Sequence, residues 1–219
     1  MINESYYWKI ELYKSFIILA KFRHLLRKSE QSFIKAEKAL MIGAYIIRKL
    51  DEAQKIPPDF LRRREVLEFS ISKGTIVDHM NWHRIETHYD LETIRNAKKD
   101  WKFIINQIIH SFYFIFSFDK FDKPEGILIN SDKTKKEALF FLPLATILTM
   151  FLTISEGDIT SVDYYRQRIG SDSNGKHVFG EMKLTNAIYS YPNNLDINKS
   201  IVGTMNGKIY LRPKDEYSK

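Results

Sequence analysis

The chain has 219 residues, 44% of them hydrophobic and 14% aromatic, with 34 Lys+Arg against 27 Asp+Glu for a formal charge of +7. This is ample material for one large domain, or a main domain with an appendage, and it excludes disorder by composition. There is no cysteine, which excludes disulfides, zinc ribbons, iron–sulfur clusters and thiol catalysis. The basic excess is compatible with nucleic acid or an acidic partner, and equally with a solvated basic surface.

The N-terminal segment from Met1 to Lys9 lacks a basic stretch, an apolar run and a small-residue cleavage site, so no secretory signal is expected. From Tyr6 to Leu26 apolar residues recur at helical spacing: Tyr7, Ile10, Leu12, Phe16, Ile17, Ala20, Phe22 and Leu25. After the polar break at residues 27–32 the pattern restarts with Ala36, Ala39, Leu40, Ile42, Ala44, Ile46, Ile47 and Leu50. The two stretches read as an antiparallel helix pair or as one bent rod. Pro57 and Pro58 close the region, because proline lacks the amide hydrogen that a helix interior needs.

Between residues 59 and 85 a short helix over 60–66 and a strand over 66–72 are predicted, with a turn at Gly74. Asp90 then reads as a helix N-cap. Leu91, Ile94, Ala97, Trp101, Ile104, Ile105, Ile108, Phe112 and Ile115 follow at spacings of three and four, which predicts a long helix to about Phe116, buried on several sides in its second half. Beyond Pro124 the pattern predicts a strand over 126–130, a polar turn, a second strand to Leu142, and a helix that starts after Pro143 and ends near Gly157. Residues 138–154 carry no charge over 17 positions, but Pro143 divides them, so a strand feeding a buried helix is expected rather than a membrane span. The last 60 residues, rich in glycine and including the β-favouring run Ile209-Tyr210-Leu211, read as short strands, loops and a loose tail. The fold class expected is α+β: a helix-led bundle over residues 1–120, with a small antiparallel β portion toward the C-terminus in 121–219 packed on it.

On the predicted long helix, Asn106 and His110 lie one turn apart on one face, with Lys102, Lys99 and Arg95 on the same face upstream. Burying such groups without partners would cost ~1–3 kcal/mol each. They are therefore satisfied by neighbours or they line a cleft. Histidine titrates near neutrality, which suits general acid–base work.

This segment resembles the signature helix of HEPN domains, all-helical modules of prokaryotic toxins, defence systems and RNA-processing factors. Their motif is an arginine, a polar residue that is often asparagine, three variable residues and a histidine. Asn106 and His110 match; the arginine position is Ile105. The resemblance covers residues 5–118 and implies metal-independent RNA cleavage at a dimer interface in active members, with no cofactor. Ile105 cannot neutralise a phosphoryl transition state, so it favours a non-catalytic interaction subunit of a defence or toxin-type complex.

Three further clusters stand out. The run from Asp78 to Asp90 holds His79, His83 and His88 with three acids, but it meets no standard metal motif and no metal site is assigned. It offers Arg84 as a cation to replace the one missing at Ile105, with Asn81 or His83 as polar partners. Arg62, Arg63 and Arg64, downstream of Arg48 and Lys49 and beside Phe60, form a basic cluster suited to phosphates and stacked bases, or a plain solvated face. Residues 163–177 form a glycine-bounded polar stretch without a P-loop pattern, read as ordinary strand and turn. RNA binding is thus assigned to Lys99, Lys102, Arg62, Arg63, Arg64 and Arg84. Any catalysis falls to His110 with Asn106. The expected partners are RNA and a second copy or another protein, in a cytoplasmic setting without membrane.

Overall fold

The computed structural model describes residues 2–25, 27–192 and 195–209. Two helices lead, α1 (Tyr6–Arg23) and α2 (Glu30–Glu52), as the apolar spacing predicts. Helix α1 buries Leu12, Phe16, Leu19 and Ala20. Helix α2 starts in a reciprocal cap: the Ser29 hydroxyl accepts from the Ser32 amide, and the Ser32 hydroxyl accepts from the Ser29 amide, satisfying two amides left free at the helix start. Its stripe Ala36, Ala39, Leu40, Ala44, Ile47 and Leu50 is fully buried. At Gly43 a Cβ would come within 2.2 Å of the Phe151 ring, so glycine is what lets α2 close on the helix Leu144–Glu156 that carries Phe151.

The sheet overturns the expected helix-led bundle with only a small antiparallel β portion toward the C-terminus. Five antiparallel strands run in the order β2-β1-β5-β4-β3: β1 (Arg64–Ile71), β2 (Arg95–Asp100), β3 (Ser111–Phe118), β4 (Pro124–Ser131) and β5 (Ala138–Pro143). Strands are therefore spread through the chain, and the sheet draws them from both sides of residue 120. A four-residue helix, α3 (Ile85–His88), lies between β1 and β2. The helix expected over 60–66 is a single 3-10 turn, Phe60–Arg62, and β1 takes the rest.

The largest departure is the long helix expected from Asp90 to Phe116. Its first part is a turn and the strand β2; only Trp101–Ile109 is helical (α4), and the segment continues as β3. Asp90 caps no helix; its Oδ1 accepts from the amides of Glu92 and Thr93, a side-chain turn that asparagine and aspartate favour. The true N-cap is Asp100, whose Oδ1 accepts from Phe103 N at 2.7 Å. After Ile109 the run Phe112-Tyr113-Phe114-Ile115-Phe116 prefers the pleated, half-buried surface of a strand. Its alternate side chains reach two apolar surroundings. Phe116 meets Phe22 and Phe33 on one side, while Tyr113 meets Tyr89 and Trp82 on the other. Apolar residues all round signified two covered sheet faces, not a helix buried on all sides.

Helices α1, α2 and α4, and the apolar helix α5 (Leu144–Glu156), cover one face of the sheet and form the main core with Leu67, Ile127, Ile129, Phe140 and Leu142. Part of the other face is covered by the 72–94 segment through Val77, Tyr89, Tyr113 and Leu139. Asn130 sits fully buried in that second layer. Its Oδ1 accepts from Tyr113 N, and its Nδ2 donates to the Tyr89 hydroxyl at 2.8 Å and to the Ala138 carbonyl. Among the described residues no helix is long and apolar enough to cross a membrane.

The C-terminal part holds more regular structure than expected. A 14-residue strand pair, β6 (Asp158–Ser171) and β7 (His177–Ser190), forms a separate two-stranded ribbon, and α6 (Ile197–Met205) follows. Leu26, and Tyr210 and Leu211 of the predicted terminal strand, lie outside the described residues.

Candidate functional site

Helix α4 and the β4–β5 turn face α2 across an open cleft of about 520 Å³, lined by Arg48, Phe103, Asn106, Gln107, His110, Ser131, Asp132, Lys133 and Thr134. His110 is not inside the helix: it is the C-cap of α4, and its amide donates to the Asn106 carbonyl at 3.0 Å. This position lifts the imidazole clear of the apolar packing, so His110 is exposed while Ile104, Ile105 and Ile108 are buried. Ile105, at the arginine position of the HEPN-like motif, is a buried core residue and is not among the residues that line this cleft.

The cation at the cleft comes from elsewhere. Arg48 Nη1 lies 3.2 Å from His110 Nε2. A guanidinium only donates, so in this contact Arg48 is the donor and Nε2 the acceptor. Arg48 Nε also donates to Glu52 Oε1 at 3.0 Å, and Lys49 Nζ donates to Glu52 Oε2 at 2.6 Å. These bonds hold the Glu52 carboxyl below its usual range.

The floor and far wall are polar but internally satisfied. The Thr134 hydroxyl donates to the buried Gln107 Oε1 at 2.9 Å and accepts from Ser131 N, which locks the turn against α4. Asp132 is held below the ordinary carboxylate range first by its hydrogen bond and charge contact with Lys135, at 2.8 Å, with His79 and His110 adding to the effect. The cleft thus holds a fixed carboxylate on one side, a guanidinium on the other and an imidazole between them on exposed ground. Beside it, burial raises the Asp51 carboxyl and the nearby Lys102 opposes that shift.

The other sequence-predicted residues are dispersed. Lys99 belongs to β2 rather than to a helix face, and its Nζ lies 4.7 Å from the Phe103 ring centre. Arg95 is likewise on β2. Lys102 stays exposed on the first turn of α4. Arg62, Arg63 and Arg64 are all exposed, and Arg63 stacks over Phe60 at 4.2 Å and Trp101 at 5.2 Å. Arg84 precedes α3 and does not line the cleft; the guanidinium that meets His110 is Arg48, 62 residues upstream in sequence. Nothing in the local pattern marks Arg48, which reads as one member of an ordinary i,i+4 pair with Glu52.

The histidine-rich run separates by role. His88 is buried and saturated, with Thr75 Oγ1 at 2.6 Å from Nδ1 and the Asn81 carbonyl at 3.1 Å from Nε2. His79 packs on Phe112, and His83 lies edge-on to Trp82. Among the described residues no three His, Asp or Glu side chains converge as a metal site. Residues 163–177 form strand and turn as read: Asp172 Oδ1 accepts from Asn174 and Lys176 amides, and Gly175 takes φ +75°.

Compared with known protein families, curated proteins and solved structures, the chain gives no match.

Proposed function

We propose that this chain is an RNA-binding interaction subunit of a prokaryotic defence or toxin-type complex, HEPN-like in its Asn106–His110 pair and acting in the cytoplasm, with the Arg48–His110 cleft as its phosphodiester site. The observation that carries this reading is the guanidinium of Arg48 beside the exposed His110 imidazole in an open cleft. A phosphate oxygen is matched by a guanidinium fork. Lys133 on the rim and Lys102 on the same helix add charge without base specificity.

Binding of a labelled single-stranded RNA, followed by anisotropy across a salt series, tests it. Wild type should bind with a steep salt dependence, and Arg48→Ala should weaken binding and lower the slope of log K on log salt by about one unit for the contact removed. Absence of binding at low salt, or an Arg48→Ala curve that overlays wild type, would end the proposal.

A second reading is favoured by one detail, the free exposure of His110. In it the chain is a metal-independent endoribonuclease. A phosphate that draws Arg48 away from Nε2 frees that lone pair to take the proton of a ribose 2′-hydroxyl, while Arg48 neutralises the phosphoryl oxygens. Cleavage in EDTA that disappears in both His110→Ala and Arg48→Ala selects this reading, and intact RNA under the same conditions selects the binding subunit.

A further inference from the structure

A second opening adjoins the His110 cleft on the far side of Arg48. The start of α1 and the end of α2 frame an open cleft of about 470 Å³, lined by Ile2, Trp8, Tyr45, Lys49, Glu52 and Ala53. Tyr45, Lys49 and Glu52 share one side of α2, at steps of four and three. Trp8 comes from α1. Both rings stand partly in water, Trp8 at 36% exposure and Tyr45 at 48%. Among the described residues neither ring packs on another aromatic ring, and neither the Trp8 indole N–H nor the Tyr45 hydroxyl has a hydrogen-bond partner. Aromatic side chains with a polar tip commonly place ring and tip against a ligand together.

The two clefts meet at one ion-paired group. Arg48 lines the His110 cleft, while Lys49 and Glu52 line the aromatic one. Glu52 joins them: its Oε1 accepts from Arg48 Nε at 3.0 Å and its Oε2 accepts from Lys49 Nζ at 2.6 Å. The Arg48 guanidinium therefore spans the divide, with Nε on Glu52 and Nη1 at 3.2 Å from His110 Nε2. Charge decides what fits. Lys49 and Glu52 cancel inside the aromatic cleft, which leaves Arg48 as the surplus cation at its border. An anion is drawn to Arg48 and gains nothing deeper in, beside the Glu52 carboxylate. A purely apolar occupant would desolvate the Lys49–Glu52 pair and gain no bond in return. A neutral, planar, polar group suits the cleft: the rings meet its faces, the Trp8 N–H donates to its edge, and the remaining lone pairs of Glu52 accept from it. A nucleotide joins these two halves, a neutral base and an anionic phosphate. Proteins that hold single strands combine a cationic track with aromatic platforms in the same way.

We propose that this cleft is a nucleobase subsite, in which Trp8 and Tyr45 take the base of the nucleotide whose phosphate lies on Arg48. The subsite rests on the RNA reading of the His110 cleft, and its test separates the two. The probe is the labelled single-stranded RNA, titrated into the full chain over the same salt series. Trp8→Ala and Tyr45→Ala should each weaken binding about tenfold, within the range for a base that loses its aromatic platform. Stacking releases no counterion, so the slope of log K on log salt should stay at the wild-type value, unlike that of Arg48→Ala. Trp8→Phe keeps a ring and should recover most of the affinity. RNA should also quench the indole emission of wild type more than that of Trp8→Phe. Wild-type affinity in both alanine variants would overturn the subsite and leave Arg48 as the phosphate contact. Weak binding in Trp8→Ala that Trp8→Phe does not recover would assign Trp8 to helix packing and equally overturn it. A Trp8→Ala variant that keeps its RNA affinity but sediments at half the wild-type mass would make the patch a contact between copies, again overturning the subsite. A wild type that binds no RNA at low salt ends the proposal together with the reading it rests on.

Discussion

The five-stranded sheet and the two-stranded ribbon are built from the same kind of antiparallel ladder but held by different forces. Sheet strands β4 and β5 are buried along most of their length, between α1, α2, α4 and α5 on one side and the 72–94 segment on the other. The ribbon has longer strands, 14 residues each, and almost no burial beyond its root. Backbone pairing is therefore common to both regions, while apolar burial, which dominates folding free energy, belongs almost wholly to the first. A ladder by itself identifies a strand; what its side chains face decides whether the strand supports the core or stands in solvent.

Three substitutions or titrations sharpen this contrast. The largest effect is expected in the helical layer. Phe151 is fully buried against Gly43, and Phe151→Ala should cost ~3–5 kcal/mol in denaturant unfolding, the usual cost of emptying a buried aromatic site. A loss below 1 kcal/mol would mean that the core does not centre on α5.

An intermediate effect is expected in the second layer of the sheet. Burial pushes the hydroxyls of Tyr89 and Tyr113 up from 10.0 to about 12. A folded-state value above the unfolded one means that the neutral phenol favours the fold. The stabilisation is fully present below pH 10 and is lost as pH rises from 10 to about 12. Absorbance near 295 nm should show these two phenols ionising late, together with loss of tertiary circular dichroism. Ionisation of every tyrosine in one early step would contradict the buried Tyr89–Asn130–Tyr113 arrangement.

The smallest effect belongs to the ribbon. Tyr165, 59% exposed, should on replacement by alanine change the stability of the chain by less than about 0.5 kcal/mol, as for surface substitutions generally. An effect as large as that at Phe151 would show that the ribbon is part of the cooperative core.

Much of the element order can be read directly from residue patterns. Helices α1 and α2 follow from apolar spacing, and β1 follows from alternation. The β4–β5 hairpin with α5 behind it follows from Pro143, which suits a strand end and a helix start but no helix interior. Gly74 with φ +78° confirms a turn that glycine invites.

The stretch from Asp90 to Phe116 departs from the helix its spacing predicts because apolar residues at spacings of three and four also occur by chance across a strand–helix–strand segment. Leu91 and Ile94, which would begin the helical stripe, are exposed, and the aromatic run after His110 answers to sheet pairing with β4 rather than to helical period. The long ribbon was hidden for a related reason: its strands alternate weakly, because neither face is buried.

Of the cleft, sequence alone located Asn106 and His110 on neighbouring turns of one element. Tertiary structure decided the rest. It placed Ile105 in the core and His110 at a helix end in solvent. It brought Arg48 against the imidazole from another helix, and it sent Lys99, Arg84 and the Arg62–Arg64 cluster elsewhere. Local period and turn chemistry are properties of adjacent residues and can be read along the chain. The meeting of Arg48 and His110 depends on how α2 and α4 pack over the sheet, and that follows from the burial of side chains that touch neither residue.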